Sequence, residues 1–442
     1  MKSKYFLYKS AAVAALSGFL FGFDTVVISG AEQTIQQLWG LNSTMHGLAI
    51  SMALWGTVIG ALFGAIPTEH LGRKKTLILV GVLYFISAIG SALALDVYSF
   101  IVFRFIGGLG IGISTIVAPI YIAEISPPDK RGRLTGLFQF NIVFGILVAY
   151  ISNAFLANSM VHSWRWMLGI ETLPAIIFLL LCFSLAESPR WLITRKNDTA
   201  NAKKIFSWIN PGLDNDTIVQ MVNSVTLSAN NEKVKTNFFS KRLLKPILLA
   251  FFIAFFNQLS GINAILYFAP RIFEMTGLGE QSALLQSIGI GVVNLVFTLI
   301  GLQLIDKIGR KTLLSIGCLG YVISLGTCAW AFYAGYESIV PYCIFAFIAA
   351  HAIGQGAVIW VFISEIFPNK FRDSGQAFGS FTHWFFAASL TLLFPIMVER
   401  FSPALIFGFF CAMMVLQGIW IKFYVPETKG TSLEEIDAQL GS

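Results

Sequence analysis

Charged residues are scarce in this chain: Asp, Glu, Lys and Arg make up 12% of its 442 residues, about half the ~25% usual in soluble globular domains. That scarcity excludes a soluble domain. Cysteine is scarcer still. Cys182, Cys318, Cys328, Cys343 and Cys411 sit singly in apolar runs with no C-x-x-C spacing, which leaves packing as their role and implies neither disulfides nor a metal centre. His351 and His383 have no Cys or His neighbour at ligand spacing, so no metal site is expected. No Walker string, H-E-x-x-H pair or nucleophile motif occurs. The chain is therefore expected to catalyse no reaction and to need no cofactor.

What it has in abundance is apolar sequence: 56% hydrophobic residues and a mean hydropathy of +0.74. Runs of about 20 residues, the length that crosses a ~30 Å hydrocarbon core as a helix, recur at 9–30, 45–66, 76–95, 98–122, 133–156, 164–186, 245–275, 281–304, 312–334, 339–363, 373–398 and 402–424. An all-α membrane protein with twelve transmembrane helices is the expected fold. The net charge of +7 is no nucleic-acid footprint, because 26 of the 30 Lys and Arg lie at the two chain ends and in alternate loops. The positive-inside rule then places both termini in the cytoplasm, and the chain in a cytoplasmic membrane with the lipid bilayer as its solvent. Lys2, Lys4 and Lys9 before the first run resemble a signal peptide, but the run is long and holds Asp24, so an uncleaved span is expected.

Three polar strings occur twice. Gly72-Arg73-Lys74 returns as Gly309-Arg310-Lys311; Glu124, Pro127 and Arg131 return as Glu365, Pro368 and Arg372; Glu187 returns as Glu427. The chain thus reads as two six-helix bundles in the same orientation, residues 1–186 and 245–442, joined by a polar cytoplasmic helical linker at 187–244, with any substrate site near the midplane between them.

Polar residues inside apolar runs mark that site. Asn257, Gln258, Ser260 and Asn263 crowd the seventh run, where an amide without a partner costs several kcal/mol. On an unbroken helix Gln258 and Asn263 point about 140° apart, so a break at Ser260-Gly261 is needed to bring them together. Either these amides glue helices or they line a chamber for a polyhydroxylated ligand, with Tyr267 a turn further on. Gln139 and Asn141 in the fifth run, Asn294 in the eighth, Gln355 and Trp360 in the tenth, and Thr382, His383 and Trp384 in the eleventh are the other interior candidates. Trp faces also suit the C–H faces of a sugar ring. In the first run Phe21-Gly-Phe-Asp24 puts a carboxylate deep in hydrocarbon; it must pair, meet water or take a proton. Arg104 in the fourth run is its expected partner, either in a permanent ion pair or in a proton switch. Phe21 is added to the substrate wall. At the basic loops Glu69, Arg73, Glu124, Arg131 and Glu187 are matched by Asp306, Arg310, Glu365, Arg372 and Glu427, expected to act as an ion-pair lock on the inner gate.

Together these residues resemble the sugar porter family of the major facilitator superfamily, along essentially the whole chain. The motifs are Arg104 with Gly108-Leu-Gly-Ile-Gly, Pro119-Ile-Tyr-Ile-Ala-Glu124, Glu187-Ser-Pro-Arg190, Gln258-Leu-Ser-Gly-Ile-Asn263, Ser364-Glu365-Ile-Phe-Pro368 and Pro426-Glu-Thr-Lys-Gly430. The resemblance implies alternating access for a monosaccharide held by Gln139, Gln258, Asn263 and Asn294 against Trp360. Asp24 resembles the proton-coupled members, so a proton:sugar symporter acting as a monomer is expected; an uncoupled facilitator is the alternative. A sugar sensor is a more distant one, since the segment from Pro426 is only 17 residues. Departures from the family pattern are Asn257 in place of a second Gln, His383 in place of Gln or Asn, Glu69-His70 in place of Asp-Arg, and the missing Pro before Trp360.

Overall fold

The computed structural model of the chain describes residues 2–127, 130–157, 162–231, 238–368 and 371–431. Among them there is no strand, and twelve helices are long and apolar enough to cross a membrane. They are Tyr5–Gly30, Ser43–Phe63, Arg73–Leu93, Val97–Ile125, Arg131–Leu156, Ser163–Phe183, Lys241–Tyr267, Glu280–Ile308, Arg310–Ala334, Glu337–Ile366, Arg372–Arg400 and Pro403–Tyr424, here called spans one to twelve. Each coincides with one apolar run.

Local chemistry sets several span ends. Asn42 Oδ1 accepts from Met45 N at 2.8 Å at the start of span two, and Asp96 Oδ1 accepts from Tyr98 N and Ser99 N at 2.9 Å at the start of span four. Such caps satisfy backbone donors that a helix start leaves open. The repeated glycine has a sharper reason. Gly72 and Gly309 have φ of 90° and 104°, and a Cβ on either would strike the Glu187 or Glu427 carboxylate. Only glycine lets that carboxylate reach the first turn, where Glu187 accepts from Arg73 N at 2.8 Å and Glu427 from Arg310 N at 2.9 Å. Gly72→Ala is expected to cost about 2 kcal/mol, within the range for a non-glycine residue forced to positive φ, and to lower the thermal midpoint in detergent. Gly408→Ala is the neutral control, because nothing lies within 4 Å of its added Cβ.

Four spans are interrupted where hydropathy alone suggests continuous helices. Span one runs from Lys2 to Val27, continues as a single 3₁₀ turn, Ile28–Gly30, and is followed by a short helix, Glu32–Leu38. Span six breaks at Ile170-Glu171, between Ser163–Gly169 and Thr172–Phe183. The seventh breaks twice, into Leu244–Leu259, Ile262–Tyr267 and Ala269–Glu274, with Gly261 at φ 88°. The tenth breaks at Gly354, between Val340–Ile353 and Gln355–Ile366. At membrane depth, free backbone groups are tolerated only inside the protein or along a cavity, and each break places a polar side chain inside.

Span two packs along span eleven, and span five along span eight, joining the first six spans to the last six. The approach is close: a Cβ at Gly47 would strike the Leu392 carbonyl, and one at Gly291 would come 2.8 Å from Leu147 Cα. Between spans six and seven, helices Pro189–Lys196, Thr199–Ile209 and Asn215–Asn231 pack around Ile193, Ala202, Phe206, Ile218 and Val222. Trp208 rests edge-on against Phe6 of span one.

Candidate functional site

The double break in span seven turns its amides toward one another. Past the left-handed Gly261, Asn263 Nδ2 donates to Gln258 Oε1 at 2.6 Å, and Gln258 Nε2 donates to Asn257 Oδ1 at 2.8 Å. Asn257 Nδ2 donates to Gln355 Oε1, across to the break in span ten, at 3.4 Å. On the other side Gln258 Nε2 lies 3.2 and 3.3 Å from the two ring nitrogens of His383. Three spans therefore contribute to one polar chain. Aromatic rings close it: His383 lies 5.0 Å from the Trp360 ring and 4.7 Å from that of Trp384, and Phe21, from span one, stands edge-on to Trp384 at 5.5 Å.

The chain ends in donors that nothing accepts. Gln355 Nε2 and Trp384 Nε1 are buried without a hydrogen-bond partner, and polar groups left so are uncommon in folded proteins. Such donors are chemically suited to a ligand rich in hydroxyls. Asn294 is buried in span eight, where its Oδ1 accepts from Thr298 Oγ1 at 3.4 Å. Gln139 is half-buried in span five, while its neighbour Asn141 donates to its own helix, at Leu137 O. Of the candidates read from the sequence, Asn257, Gln258, Asn263, Gln355, Trp360, His383, Trp384 and Phe21 thus form one connected set. Among the described residues no hydrogen bond joins Gln139 or Asn294 to it.

Asp24 and Arg104 do meet. Both are 1% exposed; Arg104 Nη1 donates to Asp24 Oδ1 at 2.5 Å and Nη2 to the Asp24 carbonyl at 3.2 Å. Asp24 is not the only carboxylate there: Glu171 sits at the break in span six, 2% exposed, and interacts directly with Asp24 and electrostatically with Arg104. Asp24 Oδ2 and Glu171 Oε1 both lack a donor. Two carboxylates face one guanidinium. The signal was present in the sequence, since Glu171 is a second carboxylate in the apolar runs of the first half.

Tyr267 is also placed differently from a simple sugar contact. Its hydroxyl stands beside Thr25 of span one, within the fields of Arg104 and Asp24. A residue four positions after Asn263 thus touches the carboxylate site, and the two candidate centres share a wall.

The charged strings at the basic end form two matching clusters. Arg73 donates to Glu124 through Nε at 2.9 Å and Nη2 at 2.8 Å, and Arg310 to Glu365 through Nε at 3.0 Å and Nη2 at 2.7 Å. Burial pushes the Glu187 carboxyl up, and backbone donors from Ser188, Lys74 and Arg73 oppose it. Arg372 Nε donates to the Ser364 carbonyl, Arg131 is exposed, and Glu69 pairs with Arg195 of the linker helices at the surface. Among the described residues each cluster closes within its own half of the chain. In this structure the clusters tie neighbouring helices of one half together. An ion pair that does join the halves, Glu32–Arg271, lies at the opposite end.

The sequence profile of the family described as "Sugar (and other) transporter" matches residues 10–440. An arabinose-proton symporter of Bacillus subtilis is 35% identical over 443 residues, covering 98% of this chain and 94% of that protein. A D-xylose-proton symporter of Escherichia coli is 34% identical over 476 residues, covering 98% and 95%. Among solved structures, the inward open conformation of the E. coli xylose transporter XylE superposes with a TM-score of 0.87 at 32% identity, covering 98% of this chain and 99% of that one. The XylE proton:xylose symporter bound to 6-bromo-6-deoxy-D-glucose gives 0.81 at 32% identity, covering 99% and 100%.

Proposed function

As this chain belongs to the sugar transporter family of the major facilitator superfamily, we propose that it carries a monosaccharide, pentose or hexose, across the cytoplasmic membrane together with a proton. It works as a monomer by alternating access, as a transporter and not an enzyme. Residues 1–186 and 245–442 are the two moving bundles, 187–244 is a cytoplasmic linker, and both termini face the cytoplasm. The arabinose-proton and xylose-proton names of its relatives support this substrate class.

One observation carries the reading: the orphaned donors of Gln355 and Trp384 border the same network as Gln258, Asn263 and His383. A sugar would bind there, with Gln139, Asn257 and Asn294 as further contacts and Trp360, Trp384 and Phe21 as apolar walls. The proton has a charge argument. Asp24, Glu171 and Arg104 carry a net negative charge if both carboxyls are ionised, and isolated charge in a membrane interior is expensive. One proton makes the triad neutral. Tyr267 then joins the two events: when sugar moves the broken part of span seven, it moves the hydroxyl set against Thr25 and the Asp24–Arg104 pair.

The inter-half contacts gather at the end opposite the basic loops, so the state described is the one facing the cytoplasm. The Arg73, Glu124, Arg131 and Glu187 cluster and the Arg310, Glu365, Arg372 and Glu427 cluster then act as the inner gate. They hold each half's helix ends in register until the halves close.

The close Asp24–Arg104 contact also suits a facilitator in which this pair is structural. Adding sugar to unbuffered, energy-depleted cells that express the protein separates the two. Symport predicts alkalinisation of the medium in step with sugar uptake; uptake with no pH change rejects coupling.

A further inference from the structure

Glu32 has no part in either centre, yet it is fully buried at the end of the molecule opposite the basic loops. It lies in the short helix Glu32–Leu38, after span one. Three groups converge on it. Arg271 Nε donates to Oε1 at 2.9 Å, Arg271 Nη2 donates to Oε2 at 2.8 Å, and His46 Nε2 lies 2.7 Å from Oε2. Arg271 Nη2 also donates to Gln36 Oε1 at 2.7 Å. Glu32 and His46 belong to the first half and Arg271 to the second, so this two-pronged pair spans the interface between halves. Around it Gln33 Nε2 donates to Glu274 at 3.0 Å, Ser43 donates to Glu399, and Tyr150 donates to the Leu266 carbonyl at 2.8 Å.

The position of Arg271 makes this more than a surface clasp. It sits in Ala269–Glu274, four residues beyond Tyr267 and eight beyond Asn263, on the segments that the breaks at Gly261 and Phe268 separate from the rest of span seven. Phe268, at the second break, packs its ring on His46 at 6.2 Å. A fork of two hydrogen bonds fixes direction as well as distance, so the pair sets where the Asn263–Tyr267 segment stands over the chamber.

We propose that Glu32, through Arg271 and braced by His46, is the outer lock of the transporter: it positions the broken outer part of span seven so that the chamber is shut on this side. The lock must break for sugar to enter from outside. This rests on the alternating-access reading above. Burial alone would push the Glu32 carboxyl up, but the His46 hydrogen bond and the Arg271 charge outweigh it and hold the group below the ordinary carboxylate range. The pair therefore persists at neutral pH and is lost only as pH falls through that depressed value.

The test is pulsed electron-spin distance measurement on the full chain in nanodiscs, without sugar. Nitroxides go on Gln37→Cys and Ser338→Cys, both exposed at this end, with Cys411 replaced by Ser. The wild-type background should give mainly the short distance. Glu32→Gln and Arg271→Gln should each raise the ratio of long to short distances by on the order of tenfold, and the charge-exchanged pair Glu32→Arg with Arg271→Glu should bring it partly back. If either single variant does not fold, the other is read alone. Unchanged distance distributions overturn the lock. Because no sugar is present, failure of the unaltered chain to bind sugar would count against the transport reading and not against this one.

Discussion

Asp24→Asn is expected to abolish accumulation of sugar against its gradient while leaving sugar exchange across the membrane in place. A proton crossing 100 mV releases about 2.3 kcal/mol, enough for about a fifty-fold concentration ratio; the variant should hold a ratio of about one. The reason is local. Asn keeps an oxygen where Asp24 Oδ1 accepts from Arg104 Nη1 at 2.5 Å, so the arginine retains a neutral partner, but the site no longer has a carboxyl there to load and unload. Glu171→Gln removes the second carboxyl of the same triad, and the two variants should be strongly non-additive, as groups acting as a unit are. Arg104→Ala is the poorer experiment, because it leaves both carboxyls buried without their cation and a cost of about 3 to 5 kcal/mol falls on folding. Counterflow of labelled sugar in proteoliposomes, with and without an imposed pH gradient, reads both arms. Accumulation that survives in Asp24→Asn places the proton elsewhere.

Gln258→Ala should weaken sugar binding by about ten- to a hundred-fold and also lower the thermal stability of the sugar-free protein. Leaving a buried polar partner unsatisfied costs about 1 to 3 kcal/mol, and the Gln258 amide meets three side chains: Asn257, Asn263 and His383. Removing it takes away a sugar contact and also the brace that aims Asn263 from the far side of the Gly261 break. His383→Gln, by contrast, keeps a donor and an acceptor near Gln258 and should change which sugar is preferred more than how tightly the best one binds. Quenching of Trp360 and Trp384 fluorescence over a panel of pentoses and hexoses measures both. A Gln258→Ala protein that titrates like the parent would remove the span-seven amides from the site.

Much of this was written in the chain. Twelve apolar runs became twelve spans because a helix is the structure that satisfies its own backbone in hydrocarbon. The repeated glycine before Arg73 and Arg310 predicted matching junctions, and the positive φ with the carboxylate lodged behind it explains the repeat. Asp24 and Arg104 could be paired because few ionisable groups occur in the apolar runs of the first half. Glu171 carries the same signal, a carboxylate inside an apolar run. Glu32 was harder to recognise, since a carboxylate just beyond a span end looks like any solvated loop charge until its burial is seen.

Composition and spacing by themselves determined the membrane, the number of spans, the repeat and the residue types facing inward, since each follows from hydropathy and period. Tertiary structure decided which of those polar groups meet, the Asp24–Arg104 pair apart. Gln258 and Asn263 converge because the chain turns through a left-handed glycine, Tyr267 reaches the Asp24 site on the short helix that follows that glycine, and Glu32 finds Arg271 because the halves close at that end. The last of those contacts joins residues 239 positions apart, and linear order carries no record of such distances until two helices are laid side by side.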